Sequence, residues 1–357
     1  MALHRNTFGL SHAFRRVVAS VRDRQNRLKV TSGKTWTAKP TVYFLTPDYQ
    51  QPAGGIRVIY RHVDILNAAG INTFVLHQTQ GFRCDWFLNR TPVRYVEDTC
   101  VLRGDLLIVP EVGIGAVANL CAGIRYAIFN QNSHLTWRDE SRKVKDIYRR
   151  TELAGVISVS KHNMEMLRFC FPETGISRVR LSIDPKMFYN QAGFRPKRIS
   201  YMPRRGGDDA AQVLAMLDAR GGLDGWEVKP LHGLSHEEVA EELRHSRIFL
   251  AFTHQEGFGL PAAEAMASGC YVIGNHGFGG REFFNSSYAA GVQTGDVVGF
   301  AYALDEAIRQ ENAHDGWCAA KGAVASQAVL TTYSEAHEIS DVVAVYTEML
   351  QMQAAAA

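Results

Sequence analysis

Residues 247–269 constrain the fold of this chain more than any other stretch, because an apolar run, a glycine-rich turn and a helix-forming segment follow one another there. Residues 247–252 (RIFLAF) suit a buried parallel strand. Gly257 and Gly259 allow a sharp turn and a close approach of a ligand to the backbone. Residues 262–267 favour a helix. The stretch therefore predicts a strand, a turn and a helix.

Two carboxylates flank this turn. Glu256 precedes the predicted helix, and Glu264 lies about one turn inside it. The N–H groups at the helix start, where Pro261 needs no hydrogen-bond partner, suit an anionic group. An ionised carboxylate only accepts hydrogen bonds, so the two glutamates suit hydroxyl groups at two ends of one ligand. Phosphate at the helix start and hydroxyls at both glutamates describe a sugar nucleotide.

The same stretch resembles the Glu-x7-Glu motif of retaining glycosyltransferases of the group 1, or family-four, type. The likeness continues through residues 270–274 into Gly279-Gly280-Arg281-Glu282. Members of this family have the GT-B fold, which consists of two Rossmann-like doubly wound α/β domains facing a cleft. Alternating strand and helix patterns in both halves of the chain agree with that fold class.

The resemblance implies a role for each matching residue. Glu264 is expected to hold the ribose hydroxyls of the donor and Glu256 those of the transferred sugar. The diphosphate is expected to lie against the backbone of Gly257, Phe258, Gly259 and Leu260.

A second glycine pair lies near the N-terminal half of the predicted cleft. Residues 41–46 predict the first clear strand, and Gly54-Gly55 precede a predicted helix over residues 56–69. Backbone N–H groups at such a turn can approach a diphosphate, and the pair resembles the Gly-Gly loop of the same family. Arg57 and Arg61 on this helix have two interpretations, contact with an acceptor or exposure to solvent, and solvent is favoured.

Further strands are predicted over residues 105–110, 126–131, 155–160 and 178–183. His134 follows the second of these, where polar side chains at a carboxyl edge bind ligands in open α/β sheets. Many relatives place a histidine near the donor sugar at this point. His134 is therefore a candidate for that contact, with an incidental loop histidine as the alternative.

Two arginines follow the first strand of the second half, which is predicted over residues 198–202. Arg204 and Arg205 suit a diphosphate because a guanidinium can bind it with two hydrogen bonds. They resemble the Gly-Arg of the family, in which a Lys-Gly usually follows. That lysine is missing here, so which arginine contacts the diphosphate stays open.

The domain organisation follows from these elements and from the length of 357 residues. We expect a basic leader or amphipathic helix over residues 1–40, an acceptor domain over 41–190 and a nucleotide-sugar domain over 198–332. A helix over 333–357 is expected to cross back to the first domain, by resemblance to the family.

Charge and cysteine usage limit the functional classes. The net charge is +3, yet residues 1–40 carry +8 and the remainder −5. Residues 5–30 leave three interpretations open: a basic amphipathic helix on an anionic membrane surface, a partly disordered leader, or a helix packed on the first domain. The basic stretch lacks interleaved aromatic residues, which disfavours nucleic acid. Six scattered cysteines and the lack of an 18-residue apolar run suggest a cytoplasmic protein, with peripheral contact at the inner membrane as an option.

The resemblance thus implies a bacterial transferase of polysaccharide biosynthesis that moves a hexosyl or deoxyhexosyl group, with retention, from a UDP, GDP or dTDP donor to a glycan or lipid-linked acceptor. No metal site and no cofactor are expected, because the chain has no Asp-x-Asp motif. The residues after the linker also resemble rhamnosyltransferases of this superfamily. The alternative from another class is a non-catalytic subunit that binds a nucleotide or a partner. A dinucleotide-dependent oxidoreductase is disfavoured because the first turn lacks GxGxxG.

Overall fold

The computed structural model describes residues 28–138, 141–204 and 206–354. Most of the predicted basic segment at residues 5–30, together with Arg205, lies outside these residues. The strands in the described part are β1 (Thr31–Trp36), β2 (Val42–Leu45), β3 (Thr73–His77), β4 (Val93–Tyr95), β5 (Cys100–Arg103), β6 (Leu106–Pro110), β7 (Arg125–Asn130), β8 (Leu153–Ser158), β9 (Ile176–Arg178), β10 (Arg198–Tyr201), β11 (Glu227–Pro230), β12 (Ile248–Glu256), β13 (Tyr271–Phe278) and β14 (Ala289–Gly291).

The helices alternate with these strands. The α-helices are α1 (Gly54–Ala68), α2 (Ser141–Ile147), α3 (Lys161–Cys170), α4 (Gly207–Asp218), α5 (His236–Arg244), α6 (Leu260–Ala267), α7 (Val297–Ala313), α8 (Trp317–Thr332) and α9 (Glu335–Ala354). Shorter 3₁₀ helices cover Val96–Asp98, Glu111–Asn119, Ser133–Leu135 and Gly279–Glu282. Ser235 and Glu238 form the capping box that starts α5, as their spacing predicts.

Two parallel sheets form the two lobes. The first lobe contains a seven-stranded sheet of order β4-β3-β2-β6-β7-β8-β9, and the second lobe a five-stranded sheet of order β11-β10-β12-β13-β14. Central strands such as β6 are buried along their whole length, as expected of a parallel sheet covered on both faces. A small two-stranded parallel sheet pairs β1 with β5, and the sequence analysis missed it.

Strand order reverses next to β2 in the first sheet and next to β10 in the second. Ligands of open α/β sheets bind outside the carboxyl ends of the strands at such a reversal. The loop after β2 leads to Gly54 and Gly55 at the start of α1, the loop after β10 contains Arg204, and β12 ends at Glu256. The topology therefore assigns the candidate residues to the two edges where a ligand is expected.

The last helix, α9, packs against α1 and β8 of the first lobe. Tyr346 is fully buried against Phe44 and His62. Arg180 forms a double ion pair with Asp341, at 2.7 Å for both Nε and Nη2. Glu338 bonds Arg61 and Ser182, so Arg61 is not the solvent-facing residue that the sequence suggests.

The strand predicted over residues 178–183 is wrong beyond Arg178, where β9 ends. The backbone N–H of Arg180 donates to Asp341, and that of Ile183 donates to the Tyr333 carbonyl at 2.9 Å. These residues therefore leave the sheet because their backbone donors find partners in and next to α9.

Among the helices that the structure describes, none combines the length and the apolar composition needed to cross a membrane.

We expect Tyr346→Ala to lower the free energy of unfolding by about 3–5 kcal/mol, because it removes a buried ring and leaves a cavity. Ile339→Ala, on the same helix but 40% exposed, is the matched control and should change stability far less. Urea unfolding followed by circular dichroism measures both. Equal losses in the two variants would contradict the packing of α9 against the first lobe.

Candidate functional site

The predicted strand, turn and helix form as one unit, with shifted boundaries. Strand β12 runs to Glu256 after an irregularity between Thr253 and Glu256, so this carboxylate lies at the end of the strand and not in a free loop. Gly259, at φ +96°, caps α6 in a left-handed conformation that favours glycine. Glu264, on the third residue after Pro261, is 5% exposed. The two glutamates thus flank the turn.

The Glu264 carboxylate contacts side chains from two other helices. Its Oε1 accepts a hydrogen bond from Arg57 Nη2 at 2.7 Å and lies 3.3 Å from His236 Nε2. Burial raises the pKa of Glu264, but the charge of Arg57 and the contact with His236 outweigh it, and the net pKa is below its ordinary value. The carboxylate is therefore ionised at neutral pH, in a form that accepts hydrogen bonds.

The position of Arg57 differs from the prediction made from the sequence, which favoured exposure to solvent. Its side chain is 24% exposed and joins α1 of the first lobe to α6 of the second. His236 at the start of α5 contacts both Arg57 and Glu264, and the sequence analysis did not single it out. Its position directly after the β11 loop, at the carboxyl edge of the second sheet, is the signal that could have identified it.

Glycine backbones bring the lobes into contact along an interlobe seam made of Gly54, Gly55, Gln131, Gly257 and Leu260. A Cβ on Gly257 would lie 1.6 Å from the Gln131 carbonyl oxygen, and one on Gly54 would lie 3.0 Å from Leu260 Cδ1. Gln131 Nε2 donates to the Gly55 carbonyl at 3.0 Å. The glycine turns of the two lobes thus touch each other across the predicted cleft.

The other candidate residues of the two glycine turns and of the loop after β10 differ in what their side chains contact. Phe258 is 3% exposed and packs on Phe283 and Tyr333, so its side chain anchors the turn. Arg204 Nη1 donates to the Pro52 carbonyl at 3.1 Å, which links the loop after β10 to the loop before Gly54. Arg205, the other diphosphate candidate, lies outside the described residues.

His134 lies beside a second contact between the lobes. It follows the Asn132 cap of a 3₁₀ turn, and its Nε2 lies 3.3 Å from His162 Nε2. Its ring is 5.6 Å from that of Phe278 in the second lobe. Burial lowers the pKa of His134, and the neighbouring His162 lowers it further. The imidazole is therefore neutral at pH 7.

Glu111 was missed by the sequence analysis. Its carboxylate accepts hydrogen bonds from the backbone N–H groups of Gln131 at 3.2 Å and Asn132 at 3.0 Å. It is 6% exposed, and burial raises its pKa to about 7. The residue comes directly after β6, at the edge where the topology predicts ligands, and this position is the signal that marks it. Glu111 holds the loop that carries Gln131 into the seam.

Glu282, the last residue of the Gly279-Gly280-Arg281-Glu282 segment, also connects the lobes. It accepts from the Lys161 N–H at 3.1 Å and from Tyr333 Oη at 2.8 Å, and it pairs with Arg178. Within the described residues no group of three or more histidine, cysteine or acidic side chains is arranged to hold a metal ion. Metal independence stays a prediction.

Comparison with known proteins adds to this geometry. Residues 207–321 match the family model of glycosyl transferases group 1. An alpha-1,6-glucosyltransferase of Actinobacillus pleuropneumoniae serotype 7 (strain AP76) is 37% identical over 81 residues. That match spans 22% of this chain and 24% of the relative.

Solved structures resemble the chain over most of its length. Sucrose-phosphate synthase (tll1590) of Thermosynechococcus elongatus has a TM-score of 0.67 at 15% identity. The superposition covers 88% of this chain and 100% of the synthase chain. Anabaena Alr3699/HepE, solved with UDP and glucose, has a TM-score of 0.62 at 12% identity. The superposition covers 89% of this chain and 100% of the HepE chain. This likeness shows the fold. The prediction of two Rossmann-like α/β domains in a GT-B arrangement is confirmed.

We expect Gly257→Ala to lower the free energy of unfolding by about 1–3 kcal/mol, because the added methyl group meets backbone that has to shift. Gly175→Ala is the matched control, since nothing lies within 4 Å of a Cβ there. Its stability should change by no more than about 0.5 kcal/mol. Thermal and urea unfolding measure the difference, and wild-type stability of Gly257→Ala would contradict the contact with Gln131.

Glu111 predicts a pH dependence of stability. Its folded pKa of about 7 lies above the ordinary value, so its stabilising contribution is complete below about pH 4.3 and is lost as the pH rises through 7. Between pH 5 and pH 8 we expect wild type to lose about 2 kcal/mol relative to Glu111→Gln, whose side chain does not titrate. Urea unfolding at four pH values tests this. Parallel curves for the two proteins would refute it.

Proposed function

We propose that the chain is a glycosyltransferase that moves a sugar from a nucleoside-diphosphate donor to a glycan or lipid-linked acceptor, with retention and without a metal. The observation that carries the proposal is the placement of Glu256 and Glu264 on either side of a glycine turn that faces the other lobe. The group 1 match over residues 207–321 and the alpha-1,6-glucosyltransferase relative support it. HepE was solved with UDP and glucose, and TarM of S. aureus, at a TM-score of 0.52, with alpha-GlcNAc-glycerol and UDP.

The donor would lie mainly against the second lobe. Glu264 would hold the ribose hydroxyls and Glu256 hydroxyls of the transferred sugar. The Gly257–Leu260 backbone and the start of α6 would contact the diphosphate, with Arg204 or Arg205 beside it. Negative charge grows on the terminal phosphate as the nucleoside diphosphate leaves, and fixed donors directed there stabilise the transition state more than the ground state.

Retention requires the acceptor to enter from the face on which the leaving group departs. The leaving phosphate can then take the proton of the acceptor hydroxyl, so no protein base is obligatory. Exclusion of water by the closed lobes would limit hydrolysis of the donor. His134, which is neutral at pH 7, would accept or donate a hydrogen bond at the sugar.

Donor binding would require the two lobes to separate along the interlobe seam. Arg57 and Glu264 now pair at 2.7 Å, and the Gly54 and Gly55 turn contacts Leu260 and Gln131. A ribose at Glu264 would take over hydrogen bonds of this carboxylate. Arg57, freed from it, would add a cation near the diphosphate, where the family lysine is missing.

The second candidate is a non-catalytic subunit that binds a nucleotide or a partner. The occupied carboxylate of Glu264 and the missing lysine favour it. Peripheral contact with an anionic membrane through residues 5–30 belongs to either function and rests on charge alone.

We expect Glu256→Ala to abolish sugar transfer and to leave the thermal midpoint and the circular dichroism spectrum unchanged. Glu306→Ala, an exposed carboxylate on α7, is the control and should keep wild-type turnover. The measurement is nucleotide release from UDP-, GDP- and dTDP-sugars in the presence of glycan and lipid-linked acceptors. Wild-type turnover of Glu256→Ala would reject the role of this residue.

Binding of one donor by calorimetry without release under any acceptor would favour the non-catalytic subunit. Release that depends on both donor and acceptor would favour the transferase. Activity that survives EDTA would support metal independence, and its loss with recovery on adding Mg²⁺ or Mn²⁺ would oppose it.

A further inference from the structure

Phe278 has a backbone conformation that needs an explanation. Its φ is +66° and its ψ is −53°, and it is the only non-glycine residue with positive φ in the described part of the chain. Such a conformation is strained for a residue with a Cβ. Gly277, at φ +59°, and Gly279 flank it, so the chain uses glycine on both sides and an aromatic residue between them. Strain of this kind persists where the surrounding structure holds it, and it clusters at functional sites.

The Phe278 ring is not part of the hydrophobic core. The residue is only partly buried and belongs to none of the clusters of buried side chains. Its ring instead stacks on His162 at 5.2 Å and 24°, and it lies 5.6 Å from His134. The Arg281 guanidinium lies 5.6 Å from the ring centroid. The Phe278 N–H donates to His276 Nδ1 at 3.0 Å, which helps to hold this backbone. Packing in the core does not account for the aromatic side chain at this position.

This cluster joins the two lobes beside Glu256. His134 and His162 come from the first lobe, and Phe278 and Arg281 from the second. Glu256 and Phe278 are paired neighbours in the β12–β13 register, and a Cβ on Gly277 would lie 3.0 Å from Glu256 Cβ. Phe278 is thus adjacent in the sheet to Glu256, the residue to which the proposed function assigns the hydroxyls of the transferred sugar.

The chemistry of the cluster fits a sugar. An aromatic ring offers an apolar surface to the C–H face of a pyranose. Its face carries partial negative charge and its edge partial positive charge. The Nε2 atoms of His134 and His162 lie 3.3 Å apart, which allows a hydrogen bond when one of the two nitrogens carries the proton. A sugar hydroxyl, which both donates and accepts, can replace either partner. Burial, together with the charge of Arg281, lowers the pKa of His162, so both imidazoles are neutral at pH 7.

We propose that Phe278 is a specificity-determining residue whose ring, with His162 stacked on it, forms one wall of the subsite for the transferred sugar. This inference rests on the proposed function and extends it from the glutamates to the sugar ring. In this arrangement the nucleoside of the donor would lie at Glu264, and the transferred sugar would lie at this wall. Phe278 therefore discriminates between sugars carried on one nucleotide and contributes little to binding of the nucleotide itself.

Phe278→Gly removes the ring and also relieves the backbone strain, so it separates the effect of the side chain from that of the backbone conformation. Glycine adopts positive φ without strain, so we expect the thermal midpoint to stay at or above the wild-type value. We expect kcat/KM for the preferred nucleotide sugar to fall at least tenfold, mainly through KM, and the preference among sugars on the same nucleotide to narrow. Affinity for the free nucleoside diphosphate, by calorimetry, should stay within twofold. Phe169→Ala, at a side chain that is 89% exposed, is the control and should match wild type in all four measurements.

Phe278→Leu is the second variant, since it keeps apolar volume and removes the aromatic face. We expect it to show the same loss of discrimination. Wild-type kcat/KM and wild-type sugar preference in both variants would overturn the inference, and so would an equal loss of affinity for the free nucleoside diphosphate.

Failure of the proposed function gives a different result. If wild type turns over no donor, calorimetry still compares a nucleotide sugar with the free nucleoside diphosphate. An added affinity for the sugar that is present in wild type and absent in Phe278→Gly supports the subsite in a binding protein. No added affinity in wild type rejects it.

Discussion

The contact of backbone with backbone between Gly257 and Gln131 sets the geometry of the whole site. A Cβ at Gly257 would lie 1.6 Å from the Gln131 carbonyl oxygen, so two loops from different lobes meet at a distance that only glycine permits. The same contact positions Glu256 before the turn and Gly259 after it. Gln131 is held in turn by the buried Glu111 carboxylate through backbone N–H groups. A close approach of two loops thus depends on one ionisable group in the first lobe.

Local patterns predicted most of the fold but not the contacts between lobes. The apolar run at residues 247–252 and the glycine turn after it predict β12 and α6 because strand and helix propensities act over neighbouring residues. Arg57 and Glu264 are 207 positions apart, and no short-range pattern marks their pairing. The same is true of Glu111, whose partners are 20 and 21 positions away. Local sequence favours exposure to solvent for Arg57, but the contact with Glu264 of the other lobe determines its position.

The site residues divide into those that motif spacing marks and those that only the folded chain brings together. Glu256 and Glu264 belong to the first group. Arg57, His236 and Phe278 belong to the second, because each gains its neighbours when the sheets align their carboxyl edges. Phe258 shows that a residue within a motif can have a structural part, since its ring is buried against Phe283 and Tyr333. A motif therefore locates a turn more reliably than it assigns each side chain.

The chain passes between the lobes twice, once after Ile183 and once near Tyr333, and these two passages are joined by a hydrogen bond of 2.9 Å from the Ile183 N–H to the Tyr333 carbonyl. Two connections fastened side by side would serve as a pivot when the lobes separate at the glycine turns. Rotation about that pivot keeps the bond, whereas sliding of one lobe past the other would break it.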